Sequence, residues 1–148
     1  EDAASGWFGL VNNRDFYGRS TQDDLFAVQS RVIREVAEQG PCIIVGRCAD
    51  YVLRDNSSTI SVFVHAPLED RIRRAISVYG LPEDRAEEIL LKTDKRRASY
   101  YNYYASGRWG QLDNYHLCVD SAAVGVEGTV EVIQQFVAMR EAFQKQQL

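Results

Sequence analysis

The stretch ISVFVHAPLEDRIRRAISVYG, residues 60–80, decides the fold class because it passes directly from an apolar run into a helical pattern. Such a short unbroken apolar run is typical of strands that are covered by helices on both faces of a parallel sheet. Pro67 suits the first turn of a helix, where its missing N–H would have no helical partner. The apolar residues that follow recur at helical spacing until Gly80 ends the pattern. We therefore predict a strand over 60–65 and then a helix that buries Leu68, Ile72, Ala75 and Ile76.

The segments on either side repeat this alternation of strand and helix. A helix capped by Ser20 or Thr21 is predicted to end at Gly40, and the apolar run CIIVG that follows predicts a strand over 42–45. Pro82 is predicted to open a longer helix, and YHLCVD predicts a strand over 115–119 before a last helix. This order predicts an α/β fold with a parallel sheet. The residues expected to face the core are Leu25, Val28, Val32 and Val36 in the first helix and Val126, Val130, Ile133 and Val137 in the last.

The composition indicates one compact domain over residues 1–148 and argues against several classes of protein. Of the 148 residues, 45% are hydrophobic, which suits a substantial core. The net charge of −4 argues against a nucleic-acid partner. No apolar run approaches the roughly 20 residues that cross a bilayer, so we expect no membrane partner. The three cysteines form no CxxC pair, which favours a reducing, cytoplasmic setting over a disulfide framework.

The first candidate site is GRCADYVL, residues 46–53, at the carboxyl end of the strand predicted over 42–45. Ligands of open α/β sheets bind beyond the carboxyl ends of strands. Arg47 follows a glycine that lets the chain turn. Its guanidinium is therefore suited to donate two hydrogen bonds to a phosphate or a base edge. The alternative is an ordinary surface arginine in a strand-to-loop turn.

A second candidate is the arginine series on the helix after the second strand. Arg71 and Arg74 share one face, opposite the apolar stripe. The alternative is a solvated helix face, which we favour for Arg73 because Glu69 lies one turn away.

A third candidate is KTDKRRASYYNYY, residues 92–104, a basic segment with one carboxylate. Asp94 and Arg97 are neighbours at i,i+3, while Lys92 and Arg96 line an adjacent face. Such a segment can clamp a polyphosphate, because phosphoryl transfer is catalysed mostly by positioning and charge stabilisation. The alternative is a solvated basic helix. Its tyrosines are suited to stack on a base. The alternative is that the rings pack against the protein while their hydroxyl groups contact solvent, which is more common for tyrosines at helical spacing.

The two histidines, in or beside predicted strands, have no partner at metal-ligand spacing. We interpret His65 and His116 as structural and predict no metal site in the protein itself.

Taken together, these segments resemble the cytidylate kinase family, and most closely its cytidylate-kinase-like branch. The resemblance runs from about residue 25 to residue 137, and it rests on the order and spacing of four segments. VIREVAEQGPCIIVGRCADYVLRD resembles the family's helix, strand and GRD-type turn, and SVFVHAPLEDRIRRA its strand and arginine-rich helix. TDKRRASYYNYY resembles the lid segment, with its Asp and Arg three residues apart, and HLCVDS the last strand.

The resemblance implies a three-layer P-loop NTPase fold and transfer of the ATP γ-phosphoryl group to a nucleoside monophosphate, CMP or dCMP first, with Mg²⁺. It assigns the catalytic roles to Asp94 and Arg97, in a lid of about residues 82–110. The acceptor nucleotide would be bound by Arg47, Asp50 and Arg34. The phosphates of ATP would be bound by Arg71, Arg74, Lys92 and Arg96. The oligomeric state stays open, with a homodimer as one option.

Two positions and one segment depart from the family pattern. Cys48 stands where an acidic residue is expected after Arg47, with Asp50 the nearest carboxylate. Leu90 stands where the lid usually has an arginine. Residues 1–24 contain no GxxxxGK[ST]-like loop, so we expect this sequence to lack the phosphate-binding loop and its strand, and to be inactive without them. The alternatives are a non-catalytic nucleotide-binding or interaction domain, or a kinase for another small acceptor.

Overall fold

The computed structural model describes residues 21–105 and 107–147, and the chain divides into two compact units, Glu1–Leu53 and Arg54–Leu148. The single domain expected over 1–148 stays a prediction. In the first unit the helices are α1 (Thr21–Gln39) and the short α2 (Ala49–Val52). In the second unit the elements are β1 (Val62–His65), α3 (Leu68–Tyr79), α4 (Ala86–Tyr104), a 3₁₀ turn (Leu112–Asn114), β2 (Leu117–Asp120) and α5 (Ser121–Lys145).

The first unit has a small core between α1 and α2. Ile33, Ala49 and Val52 are buried together, and Phe26, Ile44 and Leu53 pack against them. The bounds of α1 match the prediction, but its predicted inward stripe is wrong: Leu25, Val28, Val32 and Val36 are 38–47% exposed. The helix carries apolar residues on two faces, and α2 packs on the face of Ile33. Helical spacing alone cannot choose between two such faces.

The predicted strand over 42–45 is also wrong. Within the described ranges these residues belong to no sheet, and Ile43 and Val45 are 95% and 87% exposed. A strand is stabilised by hydrogen bonds to a neighbour, and no strand within the described ranges pairs with this run. Ile44 alone packs on the α1–α2 core.

The second unit is built on a parallel pair of strands. Val62 pairs with Leu117 and His65 with Asp120, so the carboxyl ends of β1 and β2 lie at the same edge. The two strands predicted over 60–65 and 115–119 are thus confirmed, to within two residues at each end. The structure is a mixed, helix-rich α/β arrangement with a two-stranded parallel sheet in its described part, whereas the three-layer P-loop arrangement stays a prediction.

Helix α3 follows Pro67 and ends as predicted. Gly80 has a φ of 66°, and the N–H groups of Gly80 and Leu81 donate to the carbonyls of Ile76 and Ala75. This closing turn uses a left-handed residue, which glycine adopts without the steric penalty of a Cβ. It turns the chain towards α4.

Helix α4 begins at Ala86, four residues later than we predicted from Pro82. Residues 82–85 instead form a turn, in which the Arg85 N–H donates to the Pro82 carbonyl at 3.1 Å. Pro82 is the first residue of this turn, a position that supplies only its carbonyl, so the missing N–H of proline is tolerated there.

Helix α5 contacts both strands and is kinked at Gly125, whose φ of 71° and ψ of 179° are not helical. The predicted inward residues Val126 and Val130 are 46% and 49% exposed, while Thr129 is buried and its hydroxyl donates to the Gly125 carbonyl at 2.6 Å. Ile133 and Val137, further along the same predicted stripe, are half-buried, so the prediction of an inward face holds for two of its four residues.

Candidate functional site

Asp94 on α4 holds two arginines from two different helices. Its Oδ2 accepts a hydrogen bond from Nη2 of Arg71 on α3 at 2.6 Å, and its Oδ1 accepts one from Nη1 of Arg97 at 3.2 Å. Asp94 and Arg97 meet because residues three apart share one face of a helix. Arg71 reaches them because α3 and α4 pack against each other. The structure thus brings together three of the residues that the sequence singled out.

Exposure differs sharply among these three side chains. The Asp94 carboxylate and the Arg71 guanidinium are partly buried, with 19% and 28% of their side chains exposed. The Arg97 side chain is 59% exposed. One carboxylate between two guanidinium groups leaves a net positive charge, and more than half of the Arg97 side chain remains open to solvent. This arrangement is suited to receive an anion such as a phosphoryl group.

The other basic candidates of the second unit are exposed. Arg74 is exposed, and its guanidinium lies 5.8 Å from the ring centroid of Tyr79. Lys92 and Arg96 are exposed on α4. Arg73 is solvated, as expected, but it pairs with Asp70 rather than Glu69.

Two of the three candidates of the first unit, Arg47 and Asp50, lie at the start of α2. Arg47 is exposed and has a φ of 57°, and Asp50 is half-buried in the first turn of α2. Arg34 is exposed on α1. Cys48, between Arg47 and Asp50 in the sequence, is buried, and burial, followed by the Asp50 carboxylate, raises the pKa of its thiol to about 11. The position that carries an acidic residue in the family pattern therefore holds an uncharged group here.

Most of the tyrosines that follow Arg97 are buried or in contact with another tyrosine ring. Tyr101 is buried, and the rings of Tyr100 and Tyr104 lie 4.9 Å apart. Tyr103, which is 71% exposed, meets Tyr104 edge to face at 4.7 Å. These contacts favour the packing interpretation for most of them.

A contact that the sequence did not indicate joins the starts of the two strands. The Ser61 N–H donates to Nδ1 of His116 at 3.0 Å, and the His116 N–H donates to the Ser61 carbonyl at 2.9 Å. Burial, and then the charge of Arg140 on α5, lower the pKa of His116. An unprotonated Nδ1 is required to accept the Ser61 bond, so this histidine serves the sheet.

Residues 21–105 and 107–147 contain no group of three His, Cys, Asp or Glu side chains that is placed to hold a metal ion. None of the helices in these ranges combines the length and the apolar character that crossing a membrane requires. The predicted absence of a P-loop concerns residues 1–24, most of which lie outside the described residues.

Comparison with known proteins identifies the family. The sequence profile of the cytidylate kinase-like family matches residues 1–123. The chain belongs to this family. The resemblance inferred from the four segments is thereby confirmed, and membership points to a nucleotide kinase.

A solved structure supports the described fold. The crystal structure of an uncharacterized protein from Eubacterium ventriosum ATCC 27560 is similar, with 30% sequence identity and a TM-score of 0.75. The similarity covers 80% of this chain and 68% of that one. No curated protein matches this chain significantly.

Proposed function

We propose that this protein transfers the γ-phosphoryl group of ATP to a nucleoside monophosphate, with CMP or dCMP as the preferred acceptor. Family membership supports nucleotide kinase chemistry. The observation that carries the proposal is the geometry at Asp94, which holds Arg97 on α4 while the Arg97 side chain remains 59% exposed. The guanidinium is thus oriented before a substrate arrives and remains able to contact one.

This geometry suits phosphoryl transfer. Charge in the transition state spreads over the equatorial oxygens of the transferred group, and oriented positive donors stabilise it. Arg97 would supply two parallel N–H donors to those oxygens, and Asp94 would limit the rotation of its side chain. The described residues offer no cluster that would hold Mg²⁺ by themselves. The ion would arrive with the substrate as the MgATP complex, because Mg²⁺ is usually held by substrate phosphates together with one or two carboxylates.

A second candidate function rests on Cys48. A carboxylate at this position would accept a hydrogen bond from the exocyclic amine of cytosine. The buried thiol of Cys48, with its pKa raised to about 11, is protonated near pH 7 and is a weak acceptor. This observation favours a kinase of the same family whose acceptor is not a cytosine nucleotide.

The test is an acceptor screen with the full-length encoded protein. MgATP is incubated with CMP, dCMP, UMP, AMP, GMP and a set of small hydroxyl acceptors, and the diphosphate or phosphorylated products are separated by chromatography. The proposal expects the highest kcat/KM for CMP or dCMP. A clear preference for another acceptor supports the second candidate. Absence of turnover with every acceptor, together with measurable ATP binding by calorimetry, would refute the kinase proposal and leave a nucleotide-binding role.

A further inference from the structure

The Arg71–Asp94 contact links α3 to α4 across 23 residues of sequence, and it is the shorter and less exposed of the two contacts that Asp94 makes. The family resemblance places Arg71 among the ATP-binding residues. In the structure, one of its terminal nitrogens is instead committed to a carboxylate at 2.6 Å. A charge-assisted hydrogen bond of this length between partly buried groups is among the stronger polar contacts in proteins.

The two oxygens of Asp94 divide their partners. Oδ2 accepts from Arg71 on α3, and Oδ1 accepts from Arg97 on α4. Arg71 therefore fixes the orientation of the carboxylate, and that orientation determines where Arg97 can bind it. A carboxylate that is anchored by one oxygen cannot rotate freely, and its second oxygen then has a defined position. Without Arg71, the i,i+3 contact to Arg97 would be an exposed helix pair of ordinary weakness.

From this arrangement we infer that Arg71 is a positioning residue, which acts through Asp94 to orient Arg97, rather than a direct ligand of the ATP phosphates. The inference rests on the proposed function for its catalytic consequence. Its structural content, that Arg71 restrains the Arg97 side chain, is independent of any activity.

The catalytic test is a double-mutant cycle in the full-length protein, with Arg71→Gln, Asp94→Asn and the double variant. A positioning role predicts that Arg71→Gln lowers kcat by about 10- to 100-fold, the size of loss that follows a misplaced catalytic group, with little change in the KM for ATP. The double variant should be no slower than the slower single variant, because both changes break one linkage. Arg71→Lys should recover part of kcat, since its ammonium still pairs with Asp94.

The matched control is Arg73→Gln, which removes the same charge from the same helix at a solvated pair with Asp70. It should leave kcat and KM unchanged. Multiplicative losses in the double variant, or a raised KM for ATP with unchanged kcat in Arg71→Gln, would overturn the inference in favour of direct phosphate binding.

A second readout does not require turnover. The ¹⁵N-detected rotation of the Arg97 guanidinium should become faster in Arg71→Gln and stay unchanged in Arg73→Gln. An Arg97 signal that is insensitive to Arg71→Gln refutes the positioning role, whatever the enzyme assay gives. Inactivity of the wild-type protein with every acceptor, alongside a sensitive Arg97 signal, refutes only the proposed function. If Arg71→Gln fails to fold, Arg71→Lys replaces it in both the kinetic and the NMR measurement, because it keeps the positive charge.

Discussion

Replacing Arg97 by alanine separates a catalytic role from a structural one. Its contact with Asp94 is an i,i+3 pair at 3.2 Å on a side chain that is 59% exposed. Exposed helix pairs of this kind contribute about 0.3–0.5 kcal/mol, so the free energy of unfolding should fall by no more than that. In a protein of this size such a loss lowers Tm by about 1–2 °C. Arg71 continues to hold Asp94, so no charge is left unpaired in the partly buried contact.

The expected effect of Arg97→Ala on catalysis is much larger. Loss of one donor that stabilises charge in a transition state raises the barrier by roughly 3–4 kcal/mol, or about a hundredfold to a thousandfold in kcat. Arg97→Lys should recover little, because an ammonium cannot reproduce the planar two-donor contact.

The assay combines steady-state phosphorylation of CMP by MgATP with a thermal melt of the same full-length preparations. Lys95→Ala is the matched control, since it removes one positive charge from the same exposed helix and should preserve kcat. A near-normal kcat in Arg97→Ala, with the same small change in Tm, would show that Arg97 only solvates the helix and would refute the assignment.

Three further predictions concern the fold and its titratable groups. Gly80→Ala should lower the free energy of unfolding by about 1–2 kcal/mol in urea titrations, because φ at this residue is 66°; an unchanged midpoint would contradict the closing-turn argument. The lowered pKa of His116 means that the unfolded chain binds more protons just below pH 6.5, so stability should rise with pH in that window. His116→Gln should flatten the rise, because the glutamine amide does not titrate. Cys48 is buried, with a pKa raised to about 11, whereas Cys42 is exposed. A thiol reagent at pH 8 should therefore modify Cys42 first in the native protein. A fast phase of thiol modification that persists in Cys42→Ser would count against this order.

The features that could be predicted from the sequence are those that local chemistry decides. The passage from β1 into α3 follows from an apolar run, Pro67 and Gly80, and each acts within a few residues of itself. The contact between Asp94 and Arg97 follows from the helical repeat alone. In these places the secondary structure by itself determines which groups become neighbours.

The features that could not be predicted depend on partners distant in the sequence. The apolar run at 42–45 has the composition of a strand, but a strand exists only where another strand offers hydrogen bonds. The inward face of α1 depended on which side α2 would cover. The bond between Arg71 and Asp94 spans 23 residues, and the only sequence signal for it was that both lie in segments singled out for phosphate chemistry.

The parallel pairing of β1 with β2 also sets an order for folding. The paired strands lie 55 residues apart, with α3 and α4 between them, whereas Arg71 and Asp94 are separated by 23. Closing the longer loop costs about 0.8 kcal/mol more in chain entropy. Contacts of short sequence separation form sooner than contacts of long separation. The pair of helices that carries Asp94 is therefore expected to assemble before the sheet, so the charged cluster takes shape on a hairpin of helices and the strands join late, as the slow step.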